Sequence, residues 1–211
     1  MYLVTGLGNT LIITFLAVLL GIVLGFLVAI IRSTYDKTGK AKLLNLICKV
    51  YLTVIRGTPM MVQLMIMCYV VFGKYNVSKL IVTTLAFGIN SGAYVAEIVR
   101  SGIMSIDAGQ LEAGRSLGFS YVQTMRYIIM PQAFKNVLPS LANEFIVLLK
   151  ETSVCGYIGM MDLTRGGDII RSRTYEPFMP LIGVALIYLA MVMAFSALVG
   201  KLERRLRTSE R

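Results

Sequence analysis

SIDAGQLEAGRSLGFSYVQTMRYIIMP, residues 105–131, is a polar, twice-capped stretch in a chain whose remainder is mostly apolar. Asp107 followed by Gln110 reads as a capping box, with the acid accepting from orphan N–H groups and the amide reaching back. Ser120 followed by Gln123 reads as a second box. Gly118, between them, suits the left-handed residue that ends a helix, where a β-carbon would oppose the turn. Pro131 is expected to close the second helix, because proline lacks the N–H that continues one. The stretch is therefore predicted to be a short helix, a hard turn and a second amphipathic helix.

Outward from this stretch the chain is apolar: 56 % of its 211 residues are hydrophobic and only 15 % are charged, the balance of a polytopic membrane protein. Five segments are long and apolar enough to cross a hydrocarbon core that needs about 20 residues. They cover residues 7–31, 50–73, 80–101, 132–155 and 177–200, within a single domain 1–211. The second is interrupted by Arg56-Gly57-Thr58-Pro59. The first is too long for a signal-peptide core and is read as a span. The absence of histidine excludes imidazole catalysis, and no catalytic or metal-binding set stands out. Cys48, Cys68 and Cys155 lack CxxC spacing and read as small hydrophobes. There is no P-loop, so the chain is expected to bind no ATP that way.

Of the 21 Lys and Arg residues, 14 fall on one side of this span plan, five on the other and two within spans (Arg56 and Lys150). The richer side holds Arg32, Lys37, Lys40, Lys42 and Lys49, the cations around the capped segment, and the tail 201–211. The positive-inside rule makes that side cytoplasmic, with the N-terminus outside and the C-terminus inside. The net charge of +10 then reports topology and tail contact with anionic headgroups, and no nucleic-acid partner is expected.

Polar groups within spans mark pathways or partners. Asn90, Ala93, Tyr94 and Glu97 form a polar stripe, beside a small-residue ridge of Gly88, Gly92 and Ala96 that admits a close neighbour. Glu144 and Glu151 share a face with Leu148. Thr58-Pro59 is expected to kink its span and free carbonyls into a cavity. The candidate solute pathway is Thr58, Gln63, Asn90, Ser91, Tyr94, Glu97, Asn143, Glu144 and Glu151. Plainer readings stand beside it: Glu97 pairs with Arg100 within its own helix, Arg56 snorkels to the interface, and Lys150 and Glu151 neutralise each other. Gly21 and Gly25 read as general helix packing, and the polar stretch 156–176 as either a docking surface or a solvated loop. Three intramembrane carboxylates against two cations hint at a basic solute.

Glu112-Ala113-Gly114, then Gly118, then Ile129-Met130-Pro131 resembles the EAA loop of permease subunits in ATP-binding-cassette importers. Gly114 stands where that pattern has a second alanine, a change expected to loosen the helix. Arg56-Gly57-Thr58-Pro59, Ala93-Tyr94-Val95-Ala96-Glu97-Ile98, Pro131-Gln132-Ala133, and Asn143-Glu144-Phe145 with Lys150-Glu151-Thr152-Ser153 resemble the polar amino-acid branch of that superfamily. The resemblance implies an all-α, type I importer permease with five transmembrane helices in a prokaryotic inner membrane. It further implies a coupling helix near 107–117 that docks on a separate ATPase through Asp107, Gln110, Leu111, Glu112, Ala113, Arg115, Ser116 and Gly118. Against this, Glu112 and Arg115 could form only an exposed i,i+3 pair. The implied partners are that ATPase, which holds ATP and magnesium, a second permease subunit, an external amino-acid-binding protein and the bilayer. No cofactor is expected on this chain. The rivals are an ion-driven carrier or channel, which leaves the capped segment without a purpose, and an intramembrane enzyme. For the enzyme, Glu144 and Glu151 lie about 10 Å apart along a helix, poor for a dyad unless another span supplies the second acid.

Overall fold

The computed structural model describes residues 1–208, with only the backbone described for Lys37, Thr38, Arg207 and Thr208. Arg211 and the side chains of Lys37 and Arg207, counted above among the cytoplasmic cations, lie outside the described residues. Those residues form helices and no strand.

The long apolar runs become α1 (Tyr2–Thr38), α4 (Lys79–Met104) and α9 (Phe178–Thr208), with α2 (Lys42–Gly57) and α3 (Met60–Met65) between the first two. Among the described residues these three long helices have the length and apolarity to cross a membrane, or four spans if the bent pair 42–57 and 60–71 counts as one. The pair meets at 109°, so the expected span 50–73 is not one helix. Pro59 removes a donor at the break, and Thr58 turns extended at φ −124°.

α1 and α4 run parallel because glycine removes the side chains that would separate them. A β-carbon on Gly21 would sit 2.7 Å from Ser91 Oγ, and one on Gly92 would sit 2.9 Å from both Leu24 Cβ and Tyr51 Oη. The Gly21/Gly25 pair and the Gly88–Gly92–Ala96 ridge thus form the two sides of one seam within the chain. α7 (Met130–Glu151) crosses this pair in the opposite direction, with Val137 against Gly102 and Glu144 against Ser91. Phe87, Ile13, Leu64 and Leu148 are fully buried together where these helices meet. α7 has the length to cross a bilayer but carries Lys135, Asn136, Asn143, Glu144, Lys150 and Glu151 along it. α9 keeps Ile182, Leu186, Leu189 and Met193 exposed on an outer apolar face. Cys48 and Cys155 are buried and Cys68 is half-buried, all three as free thiols.

The ends of the bundle differ. One carries α5 (Ala108–Ser116) and the short α6 (Tyr121–Thr124); the other carries α8 (Leu163–Thr174). Pro131 does not close a helix. The chain widens into a π-turn at Met125–Ile129 and continues through Pro131 into α7. The wider turn gives the proline ring room, and the Gln132 side chain donates to the Ile128 carbonyl at 2.9 Å.

Candidate coupling and solute-pathway sites

α5 is a nine-residue helix held at both ends by local bonds. The Asp107 carboxylate accepts from the Gly109 N–H at 2.6 Å. Gln110 does not reach back among the described residues, so the first expected capping box does not form and Asp107 caps alone. The acid engages the second turn position instead of the third, where Gln110 would complete the exchange. Gly118 adopts φ +81°. Phe119 N–H donates to the Gly114 carbonyl at 3.1 Å and Gly118 N–H to the Arg115 carbonyl at 2.9 Å, the paired bonds of a Schellman stop. The Ser120–Gln123 box forms in full, at 3.3 and 2.8 Å.

Gly114 does not loosen α5. It is the buried contact that seats the helix, because a β-carbon there would lie 2.5 Å from Thr124 Cγ2 and 2.7 Å from its Oγ1. Asp107, Gln110, Glu112, Ala113, Arg115, Ser116 and Gly118 are all exposed, and Leu111 is half-buried. No ion pair joins Glu112 to Arg115 among the described residues, so the exposed-pair reading has no geometry behind it. Leu117 and Val122 stand 74 % and 70 % exposed beside this helix, leaving an uncovered apolar rim.

The embedded polar residues divide into three groups that the linear order does not announce. In the first, the Gln63 amide donates to the carbonyls of Ile55 (2.7 Å) and Thr58 (3.0 Å) and contacts Thr58 Oγ1 (2.8 Å), while Asn90 donates to its oxygen at 3.0 Å. The carbonyls freed at Thr58-Pro59 are thus taken up by Gln63 and do not open into a cavity. In the second, Ser91 Oγ donates to Glu144 at 3.0 Å, both buried at the α4–α7 contact. Glu151 is half-buried at the end of α7, and Asn143, beside Glu144 in the chain, is exposed.

The third group centres on Glu97. Arg32 reaches it at 3.0 Å, Arg56 at 3.8 Å and Arg100 at 3.9 Å. Arg56 lies 3.8 Å from Glu97 and 5.7 Å from the Tyr94 ring centroid. The intrahelical pair with Arg100 exists but is the longest of the three contacts. Arg32 is the residue sequence reasoning missed: it read as a loop cation, and its partner lies 65 positions away, beyond any local pattern. With Glu97 surrounded by guanidinium groups, the hint of a basic solute loses one of its three carboxylates.

At the far end, the stretch 156–176 is chiefly helical. Asp162, fully buried, caps α8 by accepting from the N–H groups of Thr164 (3.1 Å) and Arg165 (3.2 Å). Asp168 bonds Arg165 at 2.9 Å and Arg171 at 2.6 Å, and the Arg171 guanidinium beside it holds its carboxyl below the ordinary value.

A family profile described as "Binding-protein-dependent transport system inner membrane component" matches residues 18–208. The chain is 35 % identical over 208 residues to a glutamine transport system permease protein of Escherichia coli strain K12, covering 97 % of this chain and 93 % of that one. It is 34 % identical over 215 residues to an arginine transport system permease protein of Bacillus subtilis strain 168, covering 99 % and 94 %. Among solved structures it superposes with a TM-score of 0.90 and 45 % identity on a chain of an amino acid ABC transporter crystallised with histidines, covering 97 % and 94 %. It matches a chain of the inward-facing MetNI methionine ABC transporter in fold, at TM-score 0.79 and 20 % identity, covering 97 % and 95 %.

Proposed function

This chain belongs to the binding-protein-dependent inner-membrane transport components, and from that premise we propose that it is the permease subunit of an importer for polar amino acids. A permease subunit is not itself an enzyme. It carries solute while a separate cytoplasmic subunit holds ATP and magnesium and hydrolyses the nucleotide. A second permease subunit and an external amino-acid-binding protein complete the assembly. Glutamine and arginine in the names of relatives support an amino-acid cargo.

The observation that carries this reading is α5. A short helix with ordered ends, an exposed Glu112 and Arg115 that do not pair, and an uncovered apolar rim is built to receive another protein. It would dock on the ATPase through Asp107, Gln110, Leu111, Glu112, Ala113, Arg115, Ser116 and Gly118. Nucleotide-driven approach of two ATPases would draw two such helices together and shift the spans between outward- and inward-open states. The distribution of cations supports a cytoplasmic α5, with the N-terminus outside and the C-terminus inside a prokaryotic inner membrane. On this reading α1, the bent α2–α3 pair, α4, α7 and α9 make five crossings, with the polar α7 shielded by its neighbours. Glu144 with Ser91, the Thr58–Gln63–Asn90 network, and Tyr94, Glu97, Asn143 and Glu151 line or support the solute path.

Glu112→Lys tests the coupling assignment. In proteoliposomes holding the whole complex, the variant should insert normally but lose solute-stimulated ATP hydrolysis. Normal coupled turnover would overturn the docking role of α5.

A further inference from the structure

We propose that the cavity between α1, α2 and α4 binds the phosphate of an anionic membrane lipid. The cavity encloses about 590 Å³ and is lined by Arg32, Lys49, Arg56, Tyr94 and Glu97, among others. Three cations therefore meet one carboxylate, and Arg100 also draws on that carboxylate from the side, at 3.9 Å. Asp36 lines the adjacent cavity with Arg100, and no ion pair links it to the three lining cations among the described residues. The excess positive charge calls for an anion from outside the chain.

Arg32 supplies a second observation. Its Nη1 holds Glu97, but its Nε is buried with no hydrogen-bond partner. Buried donors in native structures are normally satisfied, so an orphan on a guanidinium at a cavity wall points to a missing acceptor. The planar fork of arginine matches phosphate oxygens better than any other side chain does.

Position favours a lipid over a soluble anion. Glu97 precedes the end of α4 at Met104 by seven residues, about 10 Å of helix, a depth from which long basic side chains reach the headgroups. α2 meets the following segment at 109° and turns Leu43, Leu46, Ile47 and Val50 outward, each more than half exposed, with Lys42 and Lys49 on the same helix. Exposed apolar residues interleaved with lysine suit the end of a span that meets an anionic leaflet. A lipid satisfies both features, its phosphate in the cavity and its acyl chains over the leucines. This site shares Tyr94 and Glu97 with the proposed solute path but rests on the cations Arg32, Lys49 and Arg56 of α1 and α2.

The test uses the intact permease–ATPase complex in nanodiscs of phosphatidylcholine with added phosphatidylglycerol, followed by native mass spectrometry. Wild type should retain phosphatidylglycerol over phosphatidylcholine. Arg32→Gln should cut that retention about tenfold, the worth of one charge-assisted contact. Lys49→Gln, at an exposed position that spares the fold, should cut it by a smaller factor. Equal retention of both lipids, or retention indifferent to both substitutions, would overturn the site. Displacement of the lipid by inorganic phosphate or by an amino acid alone would overturn it too, by naming a soluble anion as the occupant.

Discussion

α5 and α8 begin alike and end as opposites. Each is a short helix opened by an aspartate that accepts from backbone N–H groups, Asp107 for α5 and Asp162 for α8. Asp107 is exposed, whereas Asp162 is fully buried. α8 is pressed onto the start of α1, where a β-carbon on Gly166 would lie 2.9 Å from the Tyr2 carbonyl oxygen. Leu163 N–H also donates to Thr10 Oγ1 at 3.1 Å. α5 touches the rest of the chain chiefly through Gly114 on Thr124. The same local signal therefore opens a fastened helix at one end and a largely exposed one at the other. What separates them is burial, which no cap encodes.

The sharpest way to break this contrast is to force α8 off α1. Gly166→Val would push a branched side chain into backbone, which cannot yield, at a cost of at least about 1–3 kcal/mol. The variant should lose its monodisperse peak in detergent, while Gly8→Val on the same helix α1, where nothing lies within 4 Å of a β-carbon, should behave as wild type. Equal behaviour of the two would show that α8 is not part of the scaffold.

The caps offer a finer comparison. Asp162→Ala removes a fully buried carboxylate that caps part-buried N–H groups and should lower stability by about 2 kcal/mol, against about 1 kcal/mol for the solvated Asp107→Ala. Thermal unfolding of both complexes measures this, and equal shifts would erase the difference between the two caps.

The smallest effect belongs to Asp168. Its carboxyl sits below the ordinary value chiefly because of its bond to Arg171, so its contribution to stability is present above the unfolded carboxylate range. That contribution is lost as pH falls through the lowered folded value. Wild type should outlast Asp168→Asn modestly near neutrality, with the advantage fading in acid. An advantage that grows with acidity would reverse the assignment.

How far each feature could be read from sequence follows from the range of the interaction behind it. The Ser120–Gln123 box, the Asp107 cap and the Gly118 stop all form between residues within five positions, so the residue types sufficed. Pro131 misled because a π-turn four residues earlier relieves what would otherwise end the helix. Gly114 reads as a weakness in sequence because its partner Thr124 lies beyond the turn. The Thr58-Pro59 break was visible, but its 109° bend and the Gln63 side chain that takes up its carbonyls were not.

Sequence alone determined that this is a helical membrane chain with one ordered, capped segment at the cation-rich end. Hydrophobic length, charge asymmetry and capping are properties of neighbours in the chain. Only the tertiary structure decided that Glu97 is shared by three arginines, that Glu144 meets Ser91 and that α8 is pressed onto α1 while α5 stays largely exposed. Those outcomes depend on which helices approach closely, and the α1–α4 glycine seam settles that by bringing distant side chains within bonding reach.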